Sequence, residues 1–396
     1  MSIKVKGFLK DVGGASRVTE ARRALIRNAP PVPDPKDHIR EVADLLHPDP
    51  MPLRVTEIRQ TSPYSRTFRF ESEDGHIPVF QCGQYASFRL RIGESELTRP
   101  YTISSAPFET RGERPFFEIT VRRNRPYLVP DWLFENVQVG DVLEGALPFG
   151  TFYWEPLRDS RDIVALAGGV GITPFYSMAK EIAFGGMKGC RLTILYGSVK
   201  KDDIVLRNEL EAIEAACPDV RVVHVLSDEP DWTGEKGFIS RGIIERYSVP
   251  DCTYMFCGPY PMYTFIRRTM DEMGVTGRRF RHDAVNNPAD VTQLPGYPKG
   301  RETQTHKITV VRGIHEDVID ASAAESVAVA LERTAIRLDT HCRNGECGFC
   351  RSRLLSGDIF VSPVGDGRRL MDKEMGWFHP CASWPLSDLK IRINIM

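Results

Sequence analysis

Residues 342–350 have the sequence CRNGECGFC, which places three cysteines in a C-x4-C-x2-C spacing, and a fourth cysteine follows at Cys381. This spacing is typical of a plant-type [2Fe-2S] site, in which four thiolates hold two irons. Gly345 and Gly348 let the loop fold tightly and direct backbone N–H groups at the sulfurs. The predicted cluster ligands are Cys342, Cys347, Cys350 and Cys381.

Two other metal sites fit the cysteines less well. Structural zinc sites usually combine two C-x2-C hooks, and this chain has one. A Rieske centre replaces two cysteines by histidines; His341 and His379 lie near the cysteines in sequence, but four cysteines already suffice. We therefore interpret both histidines either as neighbours of the cluster or as merely exposed residues.

Composition and charge set limits on the function. The chain has 396 residues, 41% of them hydrophobic, which predicts two or three domains with substantial cores. Its 52 basic and 53 acidic residues give a net charge of -1, so we expect no nucleic-acid partner. The basic N-terminus lacks the apolar stretch of a secretory signal, and residues 162–179 are interrupted by Gly and Pro. We expect a cytoplasmic protein without membrane insertion.

The pattern of apolar residues changes along the chain. Between residues 51 and 154, six short runs with alternating or β-branched and aromatic residues predict a small antiparallel barrel. Between residues 162 and 280, four apolar runs each precede a stretch with helical spacing, which predicts a parallel sheet with crossover helices. Such sheets bind ligands at the carboxyl ends of their strands. Residues 284–305 are rich in Pro, Gly, Asn and Thr and are predicted to form a linker.

The fourth predicted barrel strand carries the sequence RPYTISS at residues 99–105. A flavin needs a cation for its phosphate, an aromatic ring against its ring system and a hydroxyl near N5. Arg99, Tyr101 and Thr102 offer these groups, and we predict that they share one face of the strand. Taken alone, this short pattern also fits an ordinary strand.

The first strand of the predicted parallel sheet leads into GGVGITP at residues 168–174. Glycines let the backbone approach a pyrophosphate at the N-terminus of the following helix, and Pro174 suits its first turn. The spacing differs from G-x-G-x-x-G, so a purely structural glycine turn is the alternative.

Gly197 and Ser198 follow the second parallel strand and are predicted to meet the adenosine ribose. The adjacent pair Lys200 and Lys201 would favour NADPH, whereas Asp202 and Asp203 would favour NADH. We predict NADH, with NADPH as the alternative.

The segments RPYTISSAP, ALPFGTF, AGGVGITPF and CGPYPM, in this order, resemble the flavin and nicotinamide modules of the ferredoxin-NADP reductase superfamily. The resemblance covers residues 52–283 and extends to residue 396 with the cysteine-rich module. The order flavin, nicotinamide, iron-sulfur is similar to that of the phthalate dioxygenase reductases and of the reductase component of phenylacetyl-CoA epoxidases.

The resemblance implies roles for individual residues. Arg99 would hold a flavin phosphate, Tyr101 would pack on the flavin ring, and Thr102 would reach N5. Cys257 would lie beside the nicotinamide C4, so Thr102 and Cys257 are the implied catalytic residues. The other implied cofactor-binding residues are Pro100, Thr120, Val121, Arg122, Gly150, Thr151, Gly169, Gly171, Thr173, Pro174, Gly197, Ser198, Gly258 and Pro259.

Two segments depart from the pattern of the relatives. NRPYLVPDWLF replaces a Gly-Gly-x-x-Ser segment with which many relatives bind pyrophosphate, which leaves both FAD and FMN open. FAD is expected because it is the commoner flavin among the relatives, with FMN as the alternative. The segment Asp283-Ala284-Val285 lacks the aromatic ring that shields the flavin in many relatives.

The predicted fold is multidomain: an antiparallel β-barrel flavin domain, an α/β parallel-sheet nicotinamide domain and a C-terminal β-grasp ferredoxin domain of the plant type. The predicted boundaries are an N-terminal extension at 1–50, the flavin barrel at 51–156, the nicotinamide domain at 157–283, the linker at 284–305 and the ferredoxin domain at 306–396. The extension has a basic, helical-looking stretch from Arg17 to Asn28. It is predicted to be a solvated arm packed on the main body, with partner docking as the alternative.

The resemblance implies an NAD(P)H-dependent reductase that passes electrons through flavin and the cluster to a redox partner protein, such as a terminal oxygenase or another metalloenzyme. The alternatives are a direct reductase of a small-molecule acceptor and a redox-sensing binding module.

Overall fold

The chain divides into two compact units, Met1–Leu46 and His47–Met396, in a computed structural model that describes residues 8–28, 50–123, 128–283 and 287–393. In the first unit, helix α1 spans Phe8–Arg27, which agrees with the helix predicted near Arg17–Asn28. The proline-rich segment at 30–35 lies outside the described residues. Among the helices that are described, none is both long enough and apolar enough to cross a membrane.

The second unit begins with a six-stranded antiparallel barrel. Its strands are β1 (Met51–Ser62), β2 (Ser65–Ser72), β3 (Tyr85–Ile92), β4 (Ser95–Thr102), β5 (Phe116–Arg122) and β6 (Val142–Phe149), in the order β4-β3-β6-β1-β2-β5. A β-bridge between Ile103 and Ile119 joins the two outer strands. The fully buried rings of Phe70 and Phe117 stack 5.4 Å apart in the core. Helix α2 (Leu128–Asn136) follows β5.

The carboxylate of Glu118 on β5 is a buried anchor of the barrel. Its side chain is 1% exposed, and it accepts hydrogen bonds from Arg59 Nη2 at 3.0 Å and Arg69 Nη2 at 2.9 Å. The carboxylate is buried, so its negative charge needs nearby cations. Among the described residues, the side chains that donate hydrogen bonds to it are those of Arg59 and Arg69. The network fixes β1, β2 and β5 to one another.

We expect Glu118→Gln to lower the free energy of unfolding of the barrel by about 2 to 3 kcal/mol, because it removes the buried charge that both guanidiniums share. Their remaining common partner, Glu57, is more exposed. Urea unfolding followed by flavin release measures the change. Glu144→Gln is the matched control, since Glu144 pairs with Arg89 on the barrel surface. That exposed pair is worth about 0 to 1 kcal/mol. Equal midpoints for the two variants would contradict the prediction.

A parallel α/β module follows the barrel. Its sheet has the order β10-β9-β8-β7-β11-β12, and every pairing is parallel. The strands are β7 (Asp162–Gly168), β8 (Arg191–Ser198), β9 (Val220–Leu226), β10 (Glu235–Lys236), β11 (Thr253–Cys257) and β12 (Phe280–His282). The helices are α3 (Thr173–Phe184), α4 (Arg207–Ala216), α5 (Arg241–Tyr247) and α6 (Tyr260–Glu272). Helix α3 begins with Pro174 in its first turn, as predicted.

The C-terminal module is a five-stranded sheet in the order β14-β13-β19-β15-β17 with a separate pair, β16 and β18. Its strands are β13 (Thr305–Arg312), β14 (His315–Ser322), β15 (Ser352–Ser356), β16 (Ile359–Val361), β17 (Trp377–Phe378), β18 (Ser383–Pro385) and β19 (Leu389–Arg392). Helix α7 (Val327–Arg333) packs on this sheet, and the short helix α8 (Leu370–Glu374) follows later. The three predicted architectures are thus confirmed.

The predicted linker packs more closely than its composition indicates. Val291 and Leu294 are 1% and 2% exposed and form an apolar cluster with Tyr297. The same cluster includes Tyr260 of the α/β module and Trp384 of the C-terminal module. The Tyr297 hydroxyl also donates to the carbonyl of Ala323 at 3.0 Å. A few apolar side chains among the prolines and glycines therefore anchor the linker to both modules.

Candidate functional site

Two glycine-containing loops meet at the carboxyl edge of the parallel sheet. The loop after β7 lies against the turn after β11, because β7 and β11 are neighbours. A Cβ atom added to Gly171 would lie 2.2 Å from the carbonyl oxygen of Cys257. One added to Gly168 would lie 2.9 Å from Pro259 Cδ. Only glycine permits this approach, so the structure brings together the two segments that were predicted to hold the nicotinamide nucleotide.

Cys257 ends β11 at the centre of this edge. Its thiol donates a hydrogen bond to Asp283 Oδ2 over 3.4 Å. Burial raises the pKa of the Cys257 thiol well above its ordinary value, and the negative charge of Asp283 raises it further. The thiol therefore stays neutral, and a neutral thiol is poorly suited to act as a nucleophile.

The first glycine loop is also held from β8. The Tyr196 hydroxyl donates to the carbonyl of Gly169 at 2.9 Å and accepts the N–H of Val205 at 3.1 Å. Gly169 has φ +56°, a left-handed conformation that glycine adopts without strain. Thr173 donates its hydroxyl to the carbonyl of Val170 at the start of α3. Gly197 and Ser198 end β8 beside this loop, because Gly197 pairs with Gly168.

The flavin motif lies on β4, but its residues do not all share one face. Arg99 and Tyr101 are two residues apart and lie on the same face of the strand. Thr102 directly follows Tyr101, so it lies on the opposite face, and it is the last residue of β4. The predicted common face is therefore wrong for Thr102. β4 ends at Thr102, so the direction in which the chain leaves the strand decides whether the Thr102 hydroxyl can reach a flavin N5.

Arg99 is engaged across modules. Its guanidinium donates to the carboxylate of Glu332 on α7, from Nη1 at 3.1 Å and from Nη2 at 3.2 Å. Tyr101 packs against the barrel core, with its ring edge toward Phe88 at 6.2 Å between ring centroids. Burial raises the pKa of Tyr101, so its hydroxyl remains protonated. A cation and an aromatic ring on one face fit the phosphate and ring of a flavin nucleotide.

The predicted flavin-lining residues on β5 have different surroundings. The Thr120 hydroxyl is buried in hydrogen bonds with the hydroxyls of Thr67 and Ser104. Val121 belongs to the barrel core. Arg122 instead reaches the nicotinamide module, where its Nη2 lies 3.2 Å from Asp203 Oδ1. A Cβ atom added to Gly169 would lie 3.3 Å from Arg122 Nη1, so this guanidinium lies over the glycine loop.

Gly150 and Thr151 connect the barrel to the parallel sheet. Gly150 has φ +94°, and a Cβ atom there would lie 3.0 Å from the ring of Tyr85. Arg281 on β12 donates to the carbonyl of Thr151 and to Asp159 Oδ2 at 3.0 Å. The segment that leaves the barrel is therefore held at Gly150 by the Tyr85 ring and at Thr151 by Arg281.

The four predicted ligand cysteines lie together at one end of the C-terminal module. Cys350 Sγ lies 3.4 Å from Cys381 Sγ, and the N–H of Cys347 points at Cys342 Sγ over 3.3 Å. Hydrogen bonds from the thiols of Cys347 and Cys381, aided by backbone N–H groups, lower the pKa of Cys342. In the described part of the chain, no group of three or more His, Cys, Asp or Glu side chains is arranged to hold a metal ion. Four cysteine side chains gathered in one place provide the four thiolates that a [2Fe-2S] cluster needs.

A stack of aromatic rings links the barrel to the cysteine loop. Tyr85 pairs with Thr102 across β3 and β4, and its ring lies 5.8 Å from that of Phe149. The ring of Phe149 lies 4.2 Å from that of His341, which in turn lies 3.7 Å from that of Phe349. Burial raises the pKa of Tyr85, and the nearby groups of Cys347, Cys342 and Asp283 raise it further. Tyr85 thus forms the barrel end of the ring stack that leads to the cysteine loop.

Comparison with known protein families gives the same three modules in the same order. Residues 52–154 match the model of an oxidoreductase FAD-binding domain, and residues 165–268 match an oxidoreductase NAD-binding domain. Residues 313–385 match the 2Fe-2S iron-sulfur cluster binding domain. The predicted resemblance to flavin and iron-sulfur reductases of the ferredoxin-NADP reductase type is confirmed by these three matches. The predicted set of FAD, nicotinamide and [2Fe-2S] sites is therefore confirmed for this reductase.

Individual relatives match this reductase over most of the chain or over part of it. The glycine betaine monooxygenase reductase subunit of Chromohalobacter salexigens is 26% identical over 356 residues, covering 86% of this chain and 94% of that protein. NADH-cytochrome b5 reductase 1 of Dictyostelium discoideum is 29% identical over 234 residues, covering 57% of this chain and 80% of that protein. The structure of phthalate dioxygenase reductase has the same fold, with a TM-score of 0.62 at 21% identity over 87% of this chain and 98% of that chain.

Several side chains at the site were not identified from the sequence of the reductase. Glu332 lies among apolar residues in ESVAVALERT, so a charged residue on an apolar helix was the available signal. Tyr85, Phe149 and Tyr196 looked like ordinary strand residues. Their roles depend on neighbours that are distant in sequence, which no local pattern contains.

Proposed function

We propose that this chain is the reductase component of an oxygenase system, which takes electrons from NADH and delivers them singly to a separate metalloenzyme. The observation that carries the proposal is that the barrel contacts both other modules within one compact unit. Arg122 of the barrel bonds to Asp203 of the nicotinamide module, and the ring stack that starts at Tyr85 reaches the cysteine loop. The match to a monooxygenase reductase subunit over 94% of its length supports an oxygenase as the partner.

In this proposal the protein groups orient the cofactors. When bound, a flavin accepts a hydride's two electrons and releases them one at a time, and the [2Fe-2S] cluster carries single electrons. The glycine loop at 168–171 would hold the nucleotide pyrophosphate, with Arg122 as the nearby cation. Neutral Cys257, held by Asp283, would position the nicotinamide. Arg99 would hold the flavin phosphate, and Tyr101 would pack on its ring.

Anaerobic titration of the purified protein with NADH and then NADPH tests the proposal, with visible absorbance and EPR as readouts and chromatography to identify the released flavin. We expect bleaching of the flavin followed by the rhombic EPR signal of a reduced [2Fe-2S] cluster. A bleached flavin beside a cluster that stays oxidised would contradict the electron route. Turnover with a small quinone but not with cytochrome c would favour a direct reductase instead.

The charged residues in the loops that follow β8 and β9 favour binding of NADH over NADPH. Lys200 Nζ lies 3.8 Å from Asp228 Oδ2, and the N–H of Lys201 donates to Glu229 Oε2 at 3.0 Å. The backbone N–H of Asp228 also donates to the carbonyl of Val199, which ties the two loops together. A 2′-phosphate entering here would meet carboxylates and a lysine that is already paired.

We expect kcat/KM for NADH to exceed that for NADPH by roughly tenfold or more, about 1.4 kcal/mol in transition-state binding. Asp228→Arg should lower the ratio of kcat/KM for NADH to that for NADPH, because it replaces a charge that repels the 2′-phosphate of NADPH by one that attracts it. Asp271→Arg is the control, since Asp271 lies near the C-terminal end of α6, at the opposite edge of the sheet. A preference for NADPH in the unmodified protein would contradict this assignment.

A further inference from the structure

A buried group of three charged side chains joins the flavin barrel to the [2Fe-2S] module. It consists of Arg99 on β4, Glu332 near the end of α7, and Arg343, which directly follows Cys342. The Glu332 carboxylate accepts hydrogen bonds from Arg99 Nη1 at 3.1 Å and from Arg343 Nη2 at 3.1 Å. The side chains of Glu332, Arg343 and Arg99 are 6%, 12% and 23% exposed.

The charges of this group do not cancel. Two guanidiniums share one carboxylate, so the group has a net charge of +1 although its side chains are largely shielded from solvent. Burial lowers the pKa of the Arg99 guanidinium, and repulsion from Arg343 lowers it further. An excess buried charge is costly unless an anion balances it. An anionic ligand beside the two guanidiniums would therefore stabilise the group.

The surrounding contacts hold Arg343 close to β4. Ser95 donates its hydroxyl to the carbonyl of Glu332 at 2.7 Å, and the hydroxyls of Thr98 and Thr340 are in contact. Arg337 forms an exposed ion pair with Glu96 at 3.2 Å. These bonds place a guanidinium from the [2Fe-2S] module beside the arginine that was assigned to the flavin phosphate. A carboxylate is unfavourable at the C-terminal end of a helix, so the two guanidiniums also stabilise Glu332 where it stands.

We propose that Arg343 completes the flavin phosphate site from the [2Fe-2S] module, and that Glu332 positions both guanidiniums. The inference rests on the proposed function, in which Arg99 holds the flavin phosphate. The ligand chemistry is the phosphate ester of a flavin nucleotide, either the monophosphate of FMN or the pyrophosphate of FAD. Retention of the flavin and docking of the [2Fe-2S] module are then linked through one anion site.

Binding of riboflavin, FMN and FAD to the full chain, freed of flavin but retaining its cluster, tests the proposal by fluorescence quenching. The ratio of the riboflavin Kd to the Kd of the phosphorylated flavin isolates the phosphate contribution. We expect Arg343→Gln to lower this ratio about tenfold, the size of one lost charge-assisted hydrogen bond. A fall with FMN assigns the monophosphate, and a fall confined to FAD assigns the pyrophosphate.

Control variants separate this proposal from the one on which it rests. Arg337→Gln removes an ion pair of the same interface and should leave the ratio unchanged, whereas Arg343→Lys should recover most of it. Cluster absorbance confirms that each variant is folded. An unchanged ratio in Arg343→Gln beside a lowered ratio in Arg99→Gln overturns the two-module site and leaves the proposed function standing. An unchanged ratio in both variants overturns the role of Arg99 itself.

Discussion

Replacing Cys381 by serine is expected to remove the [2Fe-2S] cluster and to lower cytochrome c reduction by about a hundredfold or more. Cys381 is buried, and its Sγ contacts Cys350 Sγ at 3.4 Å. Loss of this thiolate would leave one iron with a single cysteine ligand in place of two. Reduction of ferricyanide, which the flavin can perform directly, should stay within about threefold of the unmodified protein. Visible absorbance and EPR measure the cluster, and steady-state assays measure both reductions.

Cys217→Ser is the matched control for this result. Cys217 is a half-buried cysteine at the end of α4, and no hydrogen bond described for it involves its thiol. The control should keep both the cluster spectrum and cytochrome c reduction. Flavin content checks that Cys381→Ser is folded. A Cys381→Ser protein that keeps its cluster and its cytochrome c activity would remove Cys381 from the ligand set.

Gly171→Ala is expected to slow reduction of the flavin by NADH by about a hundredfold, because a small displacement of reacting groups has effects of this size. The added methyl would lie 2.2 Å from the carbonyl oxygen and 2.6 Å from the carbonyl carbon of Cys257. Both are backbone atoms, so the two loops must separate. Anaerobic stopped-flow absorbance measures the rate, and the cluster spectrum should be unchanged.

Gly242→Ala provides the comparison for this substitution. Gly242 lies in α5 of the same module, and a Cβ atom there would meet nothing within 4 Å. Alanine also has the higher helix propensity, so this variant should be at least as stable as the unmodified protein. If Gly171→Ala reduced its flavin as fast as Gly242→Ala does, close packing of the two loops would not control hydride transfer.

The sequence predicts much of this fold because its strongest signals are local. Six barrel strands, the four main strands of the parallel sheet and the helix after GGVGITP follow from periodicity and turn residues within short windows. The cysteine loop follows from spacing alone. These elements are those whose structure is decided by residues close together in the chain.

The contacts between modules could not be predicted in this way. Glu332 meets Arg99 across 233 positions, and Arg122 meets Asp203 across 81. The error at Thr102 has a simpler origin, since consecutive residues of a strand face opposite sides. The prolines and glycines of residues 284–305 predict a linker, whereas Val291 and Leu294 determine how this linker packs. Pairings of this kind depend on the final arrangement of the modules.

The buried linker cluster of Tyr260, Val291, Leu294, Tyr297 and Trp384 has a consequence for how fast electrons can move inside the protein. A ferredoxin on a loose tether must find its donor by diffusion before every transfer, so solvent viscosity and tether length would set its pace. Here the linker cluster packs against both modules, so we expect the distance between donor and acceptor to be the same at each turnover. The internal step is then governed by separation and driving force, and diffusional search is confined to the encounter with the external partner.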